Sequence, residues 1–290
     1  MRPAIQAFFD PATATVTYLV TDPTTKAAAI IDPVLDYEPK GARVTNMSAE
    51  KVLAAVRDQG LQLRYVLETH AHADHLSAAD YIRRKTGAKV VIGAHITEVQ
   101  TTFIPRFEAY DVTPDGAAFD RLVDEGDRLE LGELDVEVLH TPGHTPACVT
   151  YRIGDAAFVG DTLFMPDYGT ARADFPGGDA AALYHSIRKI LSLPPETRIF
   201  VGHDYLPERG RAENRWETTV AEEAASNVQA HAGVTEAEFV ARRKARDATL
   251  APPTLLLPAL QVNIRAGALP PPSPEGHVFL RLPVTFGWTS

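Results

Sequence analysis

The chain has 290 residues, enough for one large hydrophobic core or two modest ones. Hydrophobic residues make up 45% and charged residues 23%, as in an ordinary globular protein. The formal net charge of -10 argues against a general affinity for nucleic acid or an anionic membrane surface, so an anionic substrate would need local basic groups.

The cellular setting can be predicted from the single cysteine and the apolar runs. Cys148 excludes an intrachain disulfide and favours a reducing compartment. No run approaches the roughly 18 apolar residues that a membrane span needs, and the apolar stretch before Asp10 is too short for a signal sequence. We therefore expect a cytoplasmic protein without a membrane partner.

The first elements in chain order are two strands, at residues 15–20 and 27–31. The second ends at Asp32, which could either hydrogen-bond to a neighbouring functional loop or simply close a turn. Residues 36–47 are polar and read as an exposed loop. Ser48 is then placed to begin a helix that ends near residue 59.

A cluster of metal-ligand side chains follows the next strand, residues 63–67. Three imidazoles and one carboxylate lie within six positions, in the sequence His70, His72, Asp74, His75. A helix to about residue 85 and a short strand at 89–92 follow, which gives a β-α-β-α-β alternation and predicts an α/β domain. The cluster should therefore lie at the carboxyl end of a strand, where such sheets place their chemistry.

Residues 94–127 are the least regular part, with several aromatics among scattered acids. The alternatives are a substrate lid, a dimer contact and an ordered loop that its aromatics hold against the body. We favour the ordered loop.

The second half repeats one arrangement, in which a strand is followed by a candidate ligand. A hairpin over 128–139 precedes His144, a second hairpin over 148–159 precedes Asp161, and a strand at 198–201 precedes His203. Asp179 is positioned to begin a helix between Asp161 and His203.

The composition changes beyond residue 211. A helix is expected over roughly 213–230, and another is opened by a capping box at Thr235. Residues 249–274 are rich in Pro and Leu. The sequence thus predicts a main domain, residues 1–210, and a small helical and Pro-rich C-terminal appendage, residues 211–290, packed on it.

The seven candidate ligands leave two metal arrangements open. Two cations about 3.5–4 Å apart could bridge a hydroxide for hydrolysis, with Asp161 shared between them. One cation could instead take two imidazoles and one carboxylate, a facial triad that suits Fe(II) and oxygen activation. The full candidate set is His70, His72, Asp74, His75, His144, Asp161 and His203.

This ordered set, together with Asp32, resembles the metal-binding signature of the metallo-β-lactamase superfamily over roughly residues 8–206. The resemblance implies an α/β fold, the αββα sandwich, with two sheets face to face, helices outside and a metal site along one edge. It leaves the reaction open, because the superfamily includes hydrolases, oxygenases and oxidoreductases.

Finer motifs resemble the persulfide dioxygenases, sulfur dioxygenases that oxidise glutathione persulfide with O₂ to sulfite and glutathione in sulfide detoxification. The motifs lie around Asp10, Asp32, the histidine cluster, residues 141–148, residues 172–175, residues 183–187 and residues 203–205. Three departures from that family's pattern, at residues 36–50, 94–127 and 168–171, resemble more closely a bacterial subgroup of β-lactamase-like hydrolases.

That resemblance implies one Fe(II) per chain and a homodimer. The iron ligands would be His70, His144 and Asp161, with two Zn(II) or a mixed Fe/Zn pair as the alternative. Supporting groups, or ligands of a second metal, would be His72, Asp74, His75 and His203. Further support would come from Asp32 and Asp174, and the substrate contacts would be Arg172 and Tyr205. Arg172 could instead only pair with Asp174, and Tyr205 could simply pack.

The main alternative is a binuclear hydrolase of glutathione thioesters, of the glyoxalase II type. Asp204 stands where that family has glutamate, and its basic substrate-binding residues have no match here. A lactonase, a true β-lactamase and a metal-binding sensor or partner-binding protein are less favoured. Cys148, which a persulfide chemistry could use as a carrier, is interpreted as a buried structural thiol.

Overall fold

Two six-stranded β-sheets lie at the centre of the fold. The structure is a computed structural model that describes residues 2–207 and 210–284. Its strands are β1 (Ala4–Asp10), β2 (Thr15–Thr21), β3 (Ala27–Ile31), β4 (Val34–Glu38), β5 (Arg43–Thr45), β6 (Gln62–Leu67), β7 (Leu76–Ser77), β8 (Lys89–Gly93), β9 (Arg121–Val123), β10 (Arg128–Leu131), β11 (Leu134–His140), β12 (Val149–Ile153), β13 (Ala156–Phe158), β14 (Arg198–Phe200) and β15 (Glu217–Thr219). Its helices are α1 (Met47–Asp58), α2 (Ala79–Thr86), α3 (Ile96–Phe107), α4 (Ala180–Leu191), α5 (Val220–Ser226), α6 (Glu236–Asp247) and α7 (Leu256–Asn263). Within the described ranges, no helix combines the length and apolar character required to cross a membrane.

The first sheet has the strand order β1-β2-β3-β6-β8-β9. Its last four strands are parallel, so their carboxyl ends meet at one edge. The second sheet has the order β10-β11-β12-β13-β14-β15, and β13 runs parallel to β14. A third, three-stranded sheet in the order β5-β4-β7 flanks the first.

The hydrophobic core consists of three clusters of buried side chains among the described residues. Between the two large sheets, apolar side chains of β2 and β3 pack against those of β11 and β12, with Tyr18 and Tyr151 among the largest fully buried residues. Helices α1, α2, α3 and α7 cover the first sheet, and α4 and α6 cover the second. The αββα sandwich that the resemblance implied is therefore confirmed.

Two segments that were read as loops contain regular structure. Residues 36–47 include the β4–β5 hairpin. Residues 94–127 include β9 and α3, which buries Val99, Phe103 and Phe107 at helical spacing despite Pro105 in its last turn. The loop predictions were wrong there because the proline and scattered acids obscured that apolar spacing.

The chain after residue 211 adds to both sheet layers. Residues 213–230 were expected to form one helix, but β15 extends the second sheet before α5 begins, and Thr219 caps that helix through its side chain. The capping box at Thr235 is present as predicted and opens α6. Helix α7 lies in the Pro- and Leu-rich segment and contacts the first sheet's core.

Candidate metal centre

The loop that leaves β6 at its carboxyl end carries the histidine cluster. His70, His72 and His75 are each at most 1% exposed. Asp32 follows the adjacent parallel strand β3, and its carboxylate accepts hydrogen bonds from the amide (2.7 Å) and the hydroxyl (2.8 Å) of Thr69. The start of the ligand loop is therefore fixed by the end of the neighbouring strand.

The second sheet supplies the other three candidate ligands. His144 lies between β11 and β12, Asp161 follows β13, and His203 follows β14. The end of β13 can approach the ligand loop because residue 160 is glycine. Gly160 has a φ of 49°, and a Cβ there would lie 2.4 Å from the Thr69 hydroxyl oxygen.

These side chains form two adjacent groups of metal-ligand atoms. Ligand atoms of His70, His144 and Asp161 lie within 4.8 Å of one another. Four further side chains form a second group within the same limit: His72, Asp74, His75 and His203. Asp161 faces both groups, since its Oδ2 is 3.7 Å from Nε2 of His144 and its Oδ1 is 3.3 Å from Nε2 of His203.

The atoms that face this centre lack hydrogen-bond partners. Buried polar atoms are almost always hydrogen-bonded, so a cluster of unpaired ones needs an explanation. Among the described residues the unpaired buried atoms include His70 Nε2, His72 Nδ1, Asp74 Oδ2, His75 Nε2, Asp161 Oδ1 and His203 Nε2. Imidazole nitrogens and carboxylate oxygens are the donor types that iron and zinc take in proteins, so the residues fit a metal.

In His70 and His144, the other ring nitrogen, Nδ1, has a hydrogen-bonding neighbour. His70 Nδ1 is 3.0 Å from the Thr69 hydroxyl, and His144 Nδ1 donates to the Arg172 carbonyl over 2.8 Å. Such contacts fix the orientation of a ligating ring and leave the opposite nitrogen free for a metal.

Thr15 performs the same task for the second group. Its hydroxyl lies 3.3 Å from Nδ1 of His75 and 3.3 Å from Nδ1 of His203. Sequence reasoning missed this residue because it is an ordinary strand threonine, and only the pairing of β2 beside the end of β14 brings it to the site.

His72 is held between two carboxylates. Its Nε2 lies 3.0 Å from Asp32 Oδ1 and 3.2 Å from Glu68 Oε2, and Glu68 also accepts a hydrogen bond from Ser77. Burial opposes protonation of His72, but the charges and hydrogen bonds of Asp32 and Glu68 outweigh it and raise its pKa. Glu68 was not singled out from the sequence, although its place at the end of β6 was a usable signal.

His70 has the opposite electrostatic setting. Burial, and then the neighbouring imidazole of His72, lower the pKa of His70 well below its usual value. A neutral ring with an inward lone pair is the form that a metal binds, so His70 needs no deprotonation to act as a ligand.

Arg172 and Asp174, two of the predicted site residues, are paired with each other. The Arg172 guanidinium donates to both Asp174 oxygens over 2.5 and 2.7 Å and to the Ala251 carbonyl over 2.8 Å. This pairing raises the pKa of Arg172. The backbone carbonyl of Arg172 accepts a hydrogen bond from the His144 ring, whereas its guanidinium is bound to Asp174 and to the Ala251 carbonyl.

Tyr205 lies beside the second group of ligands. Its ring stacks on that of His203, with centroids 5.5 Å apart, and it contacts the rings of Phe164 and Tyr168. Burial, followed by the charges of Asp74 and Asp161, raises the pKa of Tyr205. The phenol therefore stays protonated at neutral pH.

Cys148 is buried, accepts a hydrogen bond from the Thr145 amide over 3.3 Å and shares a hydrogen bond of 3.1 Å with the Thr145 hydroxyl. Burial raises the pKa of this thiol to about 12. An inert protonated thiol does not suit a persulfide carrier.

The ligand loop is also bound by a residue far along the chain. Asn263, in α7, donates to the carbonyl oxygens of His72 and His75 over 2.8 Å each, and accepts from the Ser77 amide over 2.8 Å. No spacing in the sequence links this asparagine to the cluster, so sequence reasoning missed it.

Comparisons with known proteins place this arrangement in a family. The profile of the Metallo-beta-lactamase superfamily matches residues 10–203, and the chain belongs to that superfamily. A probable metallo-hydrolase of Burkholderia pseudomallei is 53% identical over 97% of this chain and 98% of its own length. A Dictyostelium discoideum protein named glyoxylase B2 is 44% identical over 97% of both chains.

Other similar proteins carry a different name. The human mitochondrial persulfide dioxygenase ETHE1 is 32% identical over 69% of this chain and 68% of its own length. The crystal structure of ETHE1 from Myxococcus xanthus has a TM-score of 0.73 and 32% identity, over 91% of this chain and all of that one. The family is therefore an enzyme superfamily whose members similar to this chain bear both hydrolase and dioxygenase names.

Proposed function

We propose that this chain is a mononuclear non-haem iron dioxygenase that oxidises glutathione persulfide. The observation that carries the proposal is the compact group of His70, His144 and Asp161, two imidazoles and one carboxylate with ligand atoms within 4.8 Å. Such a triad leaves adjacent positions open for a substrate and O₂. The likeness to the human persulfide dioxygenase supports the same reaction.

The reaction is balanced by one water. One persulfide, one O₂ and one water give one thiol and one sulfurous acid, which loses protons to become sulfite. The S–S bond breaks, the terminal sulfur loses four electrons and O₂ gains four. Iron bound at the triad would supply the coordination positions and the electron transfer that bring O₂ and sulfur together.

The surrounding residues bind and orient. His72, Asp74, His75 and His203 would orient the triad and bind water, and Asp32 and Glu68 fix His72. The protonated Tyr205 phenol can donate a hydrogen bond to a substrate sulfur, and its ring packs against that of Phe164. Arg172 would release Asp174 and pair with a carboxylate of the substrate in its place.

A second candidate is the binuclear hydrolase of glutathione thioesters. The four ligands of the second group favour it, because they could hold a second metal with Asp161 shared. The names metallo-hydrolase and glyoxylase among the relatives agree with it.

The cytoplasmic location, the homodimer and the division into residues 1–210 and 211–290 stay predictions.

One experiment separates the two. The protein is purified without oxygen, its iron and zinc are counted, and O₂ uptake with glutathione persulfide is compared with hydrolysis of S-lactoylglutathione. We expect about one iron per chain and O₂ uptake. Two zinc ions per chain, thioester hydrolysis and no O₂ uptake would reject the dioxygenase.

A further inference from the structure

Another group of metal-ligand side chains lies outside the centre described above. His95 lies between β8 and α3, Asp124 follows β9, and His140 ends β11. Ligand-type atoms of these three residues lie within 4.8 Å of one another. None of them belongs to the seven residues of the main centre, and two of the contributing strands belong to the first sheet while the third belongs to the second.

The two imidazoles of this group are stacked. The ring centroids of His95 and His140 are 4.4 Å apart, and the ring planes differ by 5°. Both rings are half-buried, so solvent has access to the group. His95 follows a strand of the first sheet and His140 ends a strand of the second, so the two stacked rings come from different sheets.

Each ring has one nitrogen already bound by an acceptor. His140 Nε2 lies 2.9 Å from the Pro146 carbonyl oxygen, and a carbonyl can only accept, so this nitrogen carries the proton. His95 Nδ1 lies 2.6 Å from the Glu98 carboxylate, which likewise accepts. The lone pairs then lie on Nδ1 of His140 and Nε2 of His95. Metal-ligating histidines typically donate their other N–H to a carbonyl or carboxylate in this way.

The charge around the group favours a cation. Asp124 uses Oδ1 to accept from the Glu125 amide over 2.7 Å, which orients its carboxylate. Glu98 adds a second negative charge beside His95. The charge of Glu125 is matched by Lys189, whose ammonium lies 3.0 Å from its carboxylate. The remaining local charge is negative.

We propose that His95, His140 and Asp124 bind a divalent transition-metal ion, for which two imidazoles and one carboxylate are suitable ligands, and Zn²⁺ is the probe ion in the test. Water would complete the coordination, since the site is open to solvent. The bound ion connects the strand ends of the two sheets beside the loop that carries His144. It binds the folded chain and not the unfolded one, so it also raises thermal stability.

The test uses the purified protein with its main centre loaded. Equilibrium dialysis against Zn²⁺ measures bound zinc per chain, and thermal unfolding is followed at the same zinc concentrations. Two variants remove ligands, His95→Gln and Asp124→Asn, the second with almost no change of shape. Glu98→Gln keeps all three ligands but removes the carboxylate behind His95. His185→Gln is the matched control. Like His95, His185 lies beside a carboxylate, that of Glu236 at 3.3 Å, but among the described residues it belongs to none of the groups of metal-ligand atoms.

We expect wild type and His185→Gln to bind one zinc more than His95→Gln or Asp124→Asn, and to show a zinc-dependent rise in unfolding temperature that those two variants lack. Glu98→Gln should bind the same zinc about tenfold more weakly. Equal zinc content and equal thermal response in wild type, His95→Gln and Asp124→Asn would overturn the proposal, and so would an equal loss in His185→Gln. The outcome is independent of the dioxygenase proposal, because iron content and O₂ uptake report only on the main centre.

Discussion

The side-chain amide of Asn263 donates to the carbonyl oxygen of His72 over 2.8 Å, although 191 residues separate the two in the chain. The same amide group bonds His75, and its oxygen accepts from Ser77. One buried side chain of α7 thus holds the C-terminal half of the ligand loop, so the C-terminal part of the chain supports the metal centre.

Replacing Asn263 with alanine should therefore weaken metal binding and stability together. The change leaves two buried carbonyls and one amide without partners, each costing about 1–3 kcal/mol. We expect less metal per chain and a free energy of unfolding lower by roughly 3 kcal/mol, measured by metal analysis and denaturant unfolding. Gln261→Ala is the control, since this buried amide of α7 bonds Leu257 and Arg281 and not the ligand loop. Equal metal loss in both variants would count against a specific role of Asn263.

The two ligand groups predict different effects of their removal. His144→Ala should abolish iron binding, because it takes one of three ligands from the proposed triad. Asp74→Ala should keep much of the iron, because Asp74 lies in the other group. Metal analysis and electron paramagnetic resonance of the nitric oxide complex measure both. Equal loss in the two variants would indicate a shared two-metal site.

Arg172 gives a prediction about substrate binding. If its guanidinium takes a carboxylate of glutathione persulfide, Arg172→Met should raise KM about tenfold or more and change kcat little, since a charge-assisted hydrogen bond contributes about 1.5–3 kcal/mol. Asp174→Asn is the control, because it frees the guanidinium and should not raise KM. A lower unfolding temperature with unchanged KM in Arg172→Met would mean that the pair with Asp174 is only structural.

Glu223 gives a prediction about pH and stability away from the metal centre. Burial raises the pKa of its carboxyl to about 8, although a hydrogen bond from Asn227 opposes the shift. A carboxyl with a raised folded-state pKa contributes full stability below the unfolded value of 4.5, and loses it as the pH rises through about 8.

Over that window Glu223 should lower the free energy of unfolding by up to about 1.4 kcal/mol per pH unit. Glu223→Gln should flatten this dependence, as measured by urea unfolding between pH 5 and pH 9, a range of about four units. The exposed Glu130, in β10 and not among the groups that act on Glu223, supplies the control, Glu130→Gln, which should leave the slope as in wild type. An unchanged slope in Glu223→Gln would refute the assignment.

Much of the fold could be predicted because its signals are local. The two hairpins before His144 and Asp161 show alternating strand patterns around glycine turns, and Asp179 caps α4 through its side chain. Ligands at strand ends were visible for the same reason, since each follows an apolar run directly.

The remaining features depend on contacts that no local pattern encodes. Helix α3 was hidden by Pro105, and β15 forms only because β14 offers it an edge. Thr15 and Asn263 look ordinary in the sequence and reach the centre through strand pairing and helix packing. The supporting residues of a site are therefore harder to predict than its ligands.

The most direct test is the ratio of O₂ consumed to sulfite formed when the iron-loaded protein, with its iron counted, turns over glutathione persulfide. The proposed dioxygenase requires one O₂ per sulfite and activity proportional to iron, because both oxygen atoms enter the terminal sulfur. A protein that carries two zinc ions, consumes no O₂ and forms no sulfite would contradict the account.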